Sequence, residues 1–144
     1  MKLVSMAPQY AGMHGTRLKD HFPRWTSCWS VKINDVMVKH RFRSGVHAGH
    51  NNTVNAGLTT VTGHTHQLEV KPFTDYNGTR YGVQCGTVSD LGGLKFGYSE
   101  DNPANHRSGF IVLTFKDGAL LQPETVVAVD NEHVDFRGKL WKVR

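Results

Sequence analysis

Cysteine is nearly absent from this chain. Only Cys28 and Cys85 occur among 144 residues, far apart and with no C-x-x-C. That excludes a disulfide scaffold and a cysteine zinc knuckle, and predicts two half-buried thiols. Long apolar runs are also missing. The longest are residues 110–113 and 125–129, far short of the 18 or more residues that a helix needs to cross a membrane. At the amino end Lys2 is followed by a very short apolar patch, residues 3–7. It is too short for a secretory signal, so the reading is a cytoplasmic chain with no membrane partner. Charge of one sign never accumulates either. Seventeen Lys and Arg against 12 Asp and Glu leave a net +5 spread along the chain. Such a balance suits a phosphate-bearing ligand or nucleic acid without marking a binding stripe. With no repeat, low-complexity tract or linker, residues 1–144 read as a single domain. Aromatic residues at 10% argue against disorder.

Histidine is what the chain has in excess. There are nine: His14, His21, His40, His47, His50, His64, His66, His106 and His133. A sequence rich in imidazole and poor in thiol points to histidine-ligated metal or to phosphate chemistry.

Regular structure becomes legible from Val31 onward. Residues 36–38 read as a short buried strand running into Lys39 and His40. Residues 44–57 are small and polar and predict a short helix with Ser44 as N-cap. Residues 58–62 are β-branched and predict a second buried strand. Residues 67–72 and 80–84 flank Asp75-Tyr76-Asn77-Gly78, a hairpin signal. Residues 109–116 are apolar on both faces, which predicts a central strand covered on both sides. Asp117-Gly118 and Arg137-Gly138 mark further hairpins, with a strand over 125–129 between them. The fold class is therefore α/β: one helix-bearing crossover, then a β-rich part with mostly antiparallel hairpins after residue 66. Trp25 and Trp29, four apart, are expected to pack on the sheet.

The chemistry concentrates at Gly63-His64-Thr65-His66, directly after a buried strand. Histidines at i and i+2 of extended chain project to the same side and can offer two imidazoles to one ion or a close pair of ions. The glycine lets the backbone turn without a side chain in the way. His40 ends the preceding strand. Two parallel strands joined by a helical crossover place their ends side by side, which brings His40 near His64 and His66. The predicted metal ligands are thus His40, His64 and His66. His47 and His50, three apart on one helical face, could reach the metal or a substrate phosphate, with His47 as the substitute for His40. Arg41, beside Arg43, could steer a phosphate toward the site. His14, His21, His106 and His133 have no spacing that demands a role.

These residues resemble the carboxyl-terminal half of a calcineurin-like metallophosphoesterase of phage type. In that family an isolated histidine after one strand and a G-H-x-H after the next supply a two-metal centre. Val70-Lys71-Pro72, residues 76–81, residues 86–90 and the strand and turn over 109–118 are also similar to phage-encoded members, so the resemblance covers roughly residues 30–144. It implies part of a four-layer α-β-β-α sandwich and hydrolysis of a phosphoester, with a nucleotide or nucleic acid as the candidate substrate. The implied cofactors are divalent ions, manganese first and zinc, iron or nickel as alternatives. His40 and His64 would bind one ion and His66 the other. The two ions, about 3.5–4 Å apart, would activate water and polarise the phosphoryl oxygens. The family's amino-terminal motifs D-x-H, G-D-x-x-D and G-N-H-[DE] do not occur. Histidines cannot hold two close cations without an anionic bridge. The chain is therefore expected to be a split or truncated half, weak or inactive by itself, that associates with itself or with a complementary amino-terminal half. Two alternatives stand beside this. One is a non-enzymatic remnant or assembly subunit. The other is a cupin-like metal-binding β-barrel, suggested by His64, His66 and Glu69 but lacking the second cupin motif.

Overall fold

The computed structural model describes residues 22–26, 28–89 and 105–143. The readings for His14 and His21 lie outside them. The described chain is β-rich with one helix. Strands β1 (Val31–Ile33) and β2 (Val36–Lys39) form a hairpin, and helix α1 (Ala48–Ala56) crosses to β3 (Thr59–Thr62). The hairpin β4 (Leu68–Asp75) and β5 (Gly78–Cys85) follows, then β6 (Gly109–Val112), β7 (Phe115–Lys116), β8 (Ala119–Leu120), β9 (Glu124–Ala128), β10 (His133–Phe136) and β11 (Lys139–Lys142).

Three sheets result. The first has strand order β1-β2-β3-β5-β4, parallel across β2, β3 and β5 and antiparallel at both edges. The second is antiparallel, ordered β11-β10-β9-β6, and the third is the β7-β8 hairpin. Alternation along the strands sorts the first sheet's faces. Val36, Val61 and Val83 form the buried core of one face, against Ile111, Leu113, Phe115 and Leu120. The other face is covered by α1 and is polar: Thr60, Thr62 and Gln84 are fully buried there with Asn52 and Thr53 of the helix. No closed barrel occurs among the described residues, and the parallel pairs with their helical crossover do not fit the cupin reading.

The helix sits unusually close to the sheet. A Cβ on Gly82 would overlap the carbonyl oxygen of Gly49, so backbone meets backbone where β5 passes under α1. The helix is also shorter than residues 44–57. Its N-cap position is His47, not Ser44, and no side chain caps it. Gly45, at φ 112, turns the chain just before the first helical turn, and Ala48 N–H donates to Gly45 O at 3.1 Å. Gly57 ends the helix in the left-handed region at φ 66.

The strand expected over 109–116 is two strands in two sheets. It breaks at Leu113 and Thr114, and β6 is the last strand in its sheet's order. Phe110 is half exposed, so that strand is not covered on both sides. The reason is that residues 115–120 turn back on themselves at Asp117-Gly118, both at positive φ, and the hairpin covers the valine core. Trp25 and Trp29 are exposed and do not pack on the sheet; Trp25 meets Phe22 instead, with ring centres 4.8 Å apart. Cys28 is exposed, whereas Cys85 is half-buried and burial pushes its thiol up to about 11.

Candidate metal site at the strand ends

His40 follows β2 and Gly63-His64-Thr65-His66 follows β3. Because β2 and β3 are parallel and in register at Lys39 and Thr62, the two segments leave the sheet side by side. Gly63 N–H donates to His40 O at 3.1 Å, one more rung beyond the strands. A Cβ on Gly63 would stand 3.6 Å from His40 Nδ1, an ordinary contact, so the backbone there lies directly against that imidazole.

Beyond Gly63 the chain is not extended. His64 and His66 both lie in the left-handed region, at φ 71 and φ 58, and Thr65 N–H closes back on Gly63 O at 2.8 Å. Non-glycine residues held there cost on the order of 1–3 kcal/mol each, and such strain concentrates at binding and catalytic sites. It also changes where the rings go. His64 stands edge-on to His40, ring centres 5.5 Å apart, while His66 stands edge-on to His106 at 4.9 Å. The expected same-side projection from extended chain is replaced by two imidazole pairs.

Ring-centre spacing sets whether two imidazoles can reach one ion. With a metal–nitrogen distance of about 2.1 Å, an imidazole centre lies about 3.2 Å from its ion, so two rings on one ion have centres roughly 4.5–5.2 Å apart between right-angle and tetrahedral arrangements. The His66–His106 spacing falls inside that range, and the His40–His64 spacing lies just beyond its upper end. Among the described residues, no three His, Cys, Asp or Glu side chains gather into a group that could hold an ion. Each pair offers two imidazoles, with no carboxylate gathered beside either pair among the described residues.

A buried polar network aims these loops. Gln84, fully enclosed in β5, donates from Nε2 to Thr62 Oγ1 at 2.6 Å, and its Oε1 accepts from Thr65 Oγ1 at 2.5 Å. Asn52 of α1 grips the backbone of the segment after His40: Arg43 N–H donates to its Oδ1 at 2.9 Å, and its Nδ2 reaches Arg43 O and Thr62 Oγ1, both at 3.4 Å. One continuous set of hydrogen bonds therefore ties residues 40–43 and residues 63–66 to the centre of the sheet. Buried amides of this kind rigidify what they touch. Sequence reasoning missed Gln84 and Asn52 because neither lies in a motif. A glutamine among apolar residues in Val83-Gln84-Cys85 was the available signal, since a buried glutamine needs partners. His106 was missed because only tertiary structure brings it to His66.

The remaining candidates lie elsewhere. His47 is exposed at the helix start, and Arg41 is exposed in the loop after β2. His50 packs its ring edge-on to Phe73 of β4, 5.5 Å away. Glu69 pairs with Lys71 Nζ at 3.3 Å and lies over Gly49. His133 is bound to the carboxylate of Asp130 at 3.0 Å in the second sheet. Lys39, its Nζ 4.9 Å from the Phe42 ring centre, and Arg41 keep the rim beside His40 basic.

No family model matches the chain. It is similar to the Gene 54 protein of Mycobacterium phage L5, 32% identical over 113 residues, which is 72% of this chain and 44% of the phage protein. The chain thus matches less than half the length of that relative. Among solved structures it is similar to a single mutant of Vps29 from Entamoeba histolytica, with a TM-score of 0.47 and 20% identity, covering 80% of this chain and 59% of the other. No helix among the described residues is long and apolar enough to cross a membrane.

Proposed function

We propose that this chain is the carboxyl-terminal half of a metal-dependent phosphoester hydrolase of the calcineurin-like kind. The observation that carries this reading is the His40–His64 pair: two imidazoles from the ends of adjacent parallel strands, 5.5 Å apart, held by a buried hydrogen-bond network. The layers of helix α1, the first sheet and the β6–β8 segment would be completed to a four-layer sandwich by strands and a helical layer from a complementary half, or by a second copy of the chain. His40 and His64 would hold one divalent ion and His66 another, manganese being the first candidate. When bound, the ions supply an activated water and polarise the phosphoryl group. The chain's own residues orient the imidazoles, keep the loops rigid through Asn52, Thr62, Thr65 and Gln84, and present the basic rim of Lys39 and Arg41 to an anionic substrate. The bridging carboxylate must come from outside the described residues.

Metal content after purification, measured with manganese-dependent hydrolysis of a generic phosphodiester, tests this reading. The expected result is bound divalent metal that is lost in His64→Ala, with little turnover by the chain itself. Absence of bound metal from manganese-loaded protein would overturn the reading and favour a non-enzymatic remnant. Turnover abolished by His64→Ala would overturn its incompleteness.

A further inference from the structure

We propose that His66 and His106 form a two-imidazole site for one divalent transition-metal ion, separate from the His40–His64 pair. The inference rests on the reading of the strand-end imidazoles as metal donors and adds a ligand that the sequence pattern does not mark. His106 lies 40 residues beyond His66, yet three backbone contacts fix it there. Arg107 N–H donates to His66 O at 2.9 Å, Thr87 N–H donates to Arg107 O at 3.1 Å, and Gly109 N–H donates to Thr87 O at 2.9 Å. Gly86, at φ 67, makes room for this approach, because a Cβ there would come within 2.9 Å of Arg107 O. The same Arg107 hydrogen bond braces His66 in its left-handed conformation. Holding two non-glycine residues at positive φ in one four-residue loop is costly, and the result is that the two rings diverge onto different partners. The His66–His106 spacing of 4.9 Å falls inside the range for two imidazoles on one ion, closer to its centre than the His40–His64 pair. Imidazole pairs of this kind suit borderline ions such as cobalt, nickel and zinc.

Titration of the intact chain with cobalt(II), followed by calorimetry and by the ring resonances of the histidines, tests the proposal. The expected result is that His66 and His106 signals respond together and saturate together. Both His106→Ala and His106→Phe should weaken that binding step at least about tenfold while leaving the His40 and His64 response intact. The phenylalanine variant retains a ring against His66 but no donor nitrogen. If it binds cobalt at that step as wild type does, His106 only packs and the proposal fails. If His40 and His64 respond but His66 and His106 do not, the proposal fails while the phosphoesterase reading keeps its carrying pair. If only His66 and His106 respond, the proposal holds and the phosphoesterase reading loses its support. No response at either pair overturns both.

Discussion

Replacing Gln84 with leucine is expected to destabilise the chain by about 2–3 kcal/mol and to loosen the loop that carries His64 and His66. Gln84 is completely buried and makes two side-chain hydrogen bonds, one to Thr62 and one from Thr65. A neutral intramolecular bond contributes roughly 1 kcal/mol net, and a buried partner left unsatisfied costs more. Thr62 Oγ1 still donates to Val83 O at 3.3 Å and still accepts from Asn52, so its loss is cushioned. Thr65 is only half-buried and recovers water, which keeps the total near the lower figures. Thr65→Val should cost about 1 kcal/mol, and the double variant should be less destabilised than the sum by about 1 kcal/mol, the worth of the bond they share. Urea unfolding of the four proteins measures this cycle. The ring resonances of His64 and His66 should shift in Gln84→Leu but not in Val126→Ala, which removes buried volume in the other sheet. Additivity within about 0.3 kcal/mol, or unmoved ring signals, would refute the idea that Gln84 positions the site.

Three further outcomes follow from the packing and the charges. Gly82→Ala should cost about 3 kcal/mol or more, since the new methyl meets the Gly49 carbonyl and the helix must retreat; Gly57→Ala, with open space but a left-handed backbone, should cost only about 1 kcal/mol in the same urea assay. Arg137 donates from Nε and Nη2 to the two carboxylate oxygens of Glu124, both at 2.6 Å, and that hydrogen bonding holds the Glu124 carboxyl below its ordinary 4.5. A depressed folded-state pKa contributes stability above the unfolded value and loses it as pH falls through the folded value, so wild type should lose stability below about pH 4.5 more steeply than Glu124→Gln when melting temperatures are compared across pH. Cys28 should react with a thiol reagent at neutral pH well before Cys85, whose thiolate burial disfavours; equal rates of labelling by mass spectrometry would contradict the burial of Cys85.

Much of the architecture was legible in local chemistry. Asp117-Gly118 and Arg137-Gly138 adopt the positive φ values that two-residue hairpins demand, and each joins a pair of antiparallel strands. The small-residue crossover between two β-branched strands became α1 between parallel β2 and β3. Errors arose where a nonlocal contact overrode a local signal. Ser44 could have capped a helix, but Asn52 grips the Arg43 backbone and Gly45 turns the chain, so the helix starts later. The apolar run over 109–116 reads as one strand until the hairpin over the valine core divides it.

For the candidate site, the sequence by itself determined that histidines end two successive strands with a glycine between them. Adjacent parallel strands then bring His40 to His64, because a crossover connection leaves strand ends side by side. What only the tertiary structure decided is which rings meet. His66 faces His106 because the segment after β5 and the segment before β6 converge on it through backbone hydrogen bonds, and no local spacing encodes a convergence across 40 residues. Gln84 and Asn52 joined the site for the same reason: a buried amide must find partners, and the register of β3 against β5 with α1 above them settled which ones.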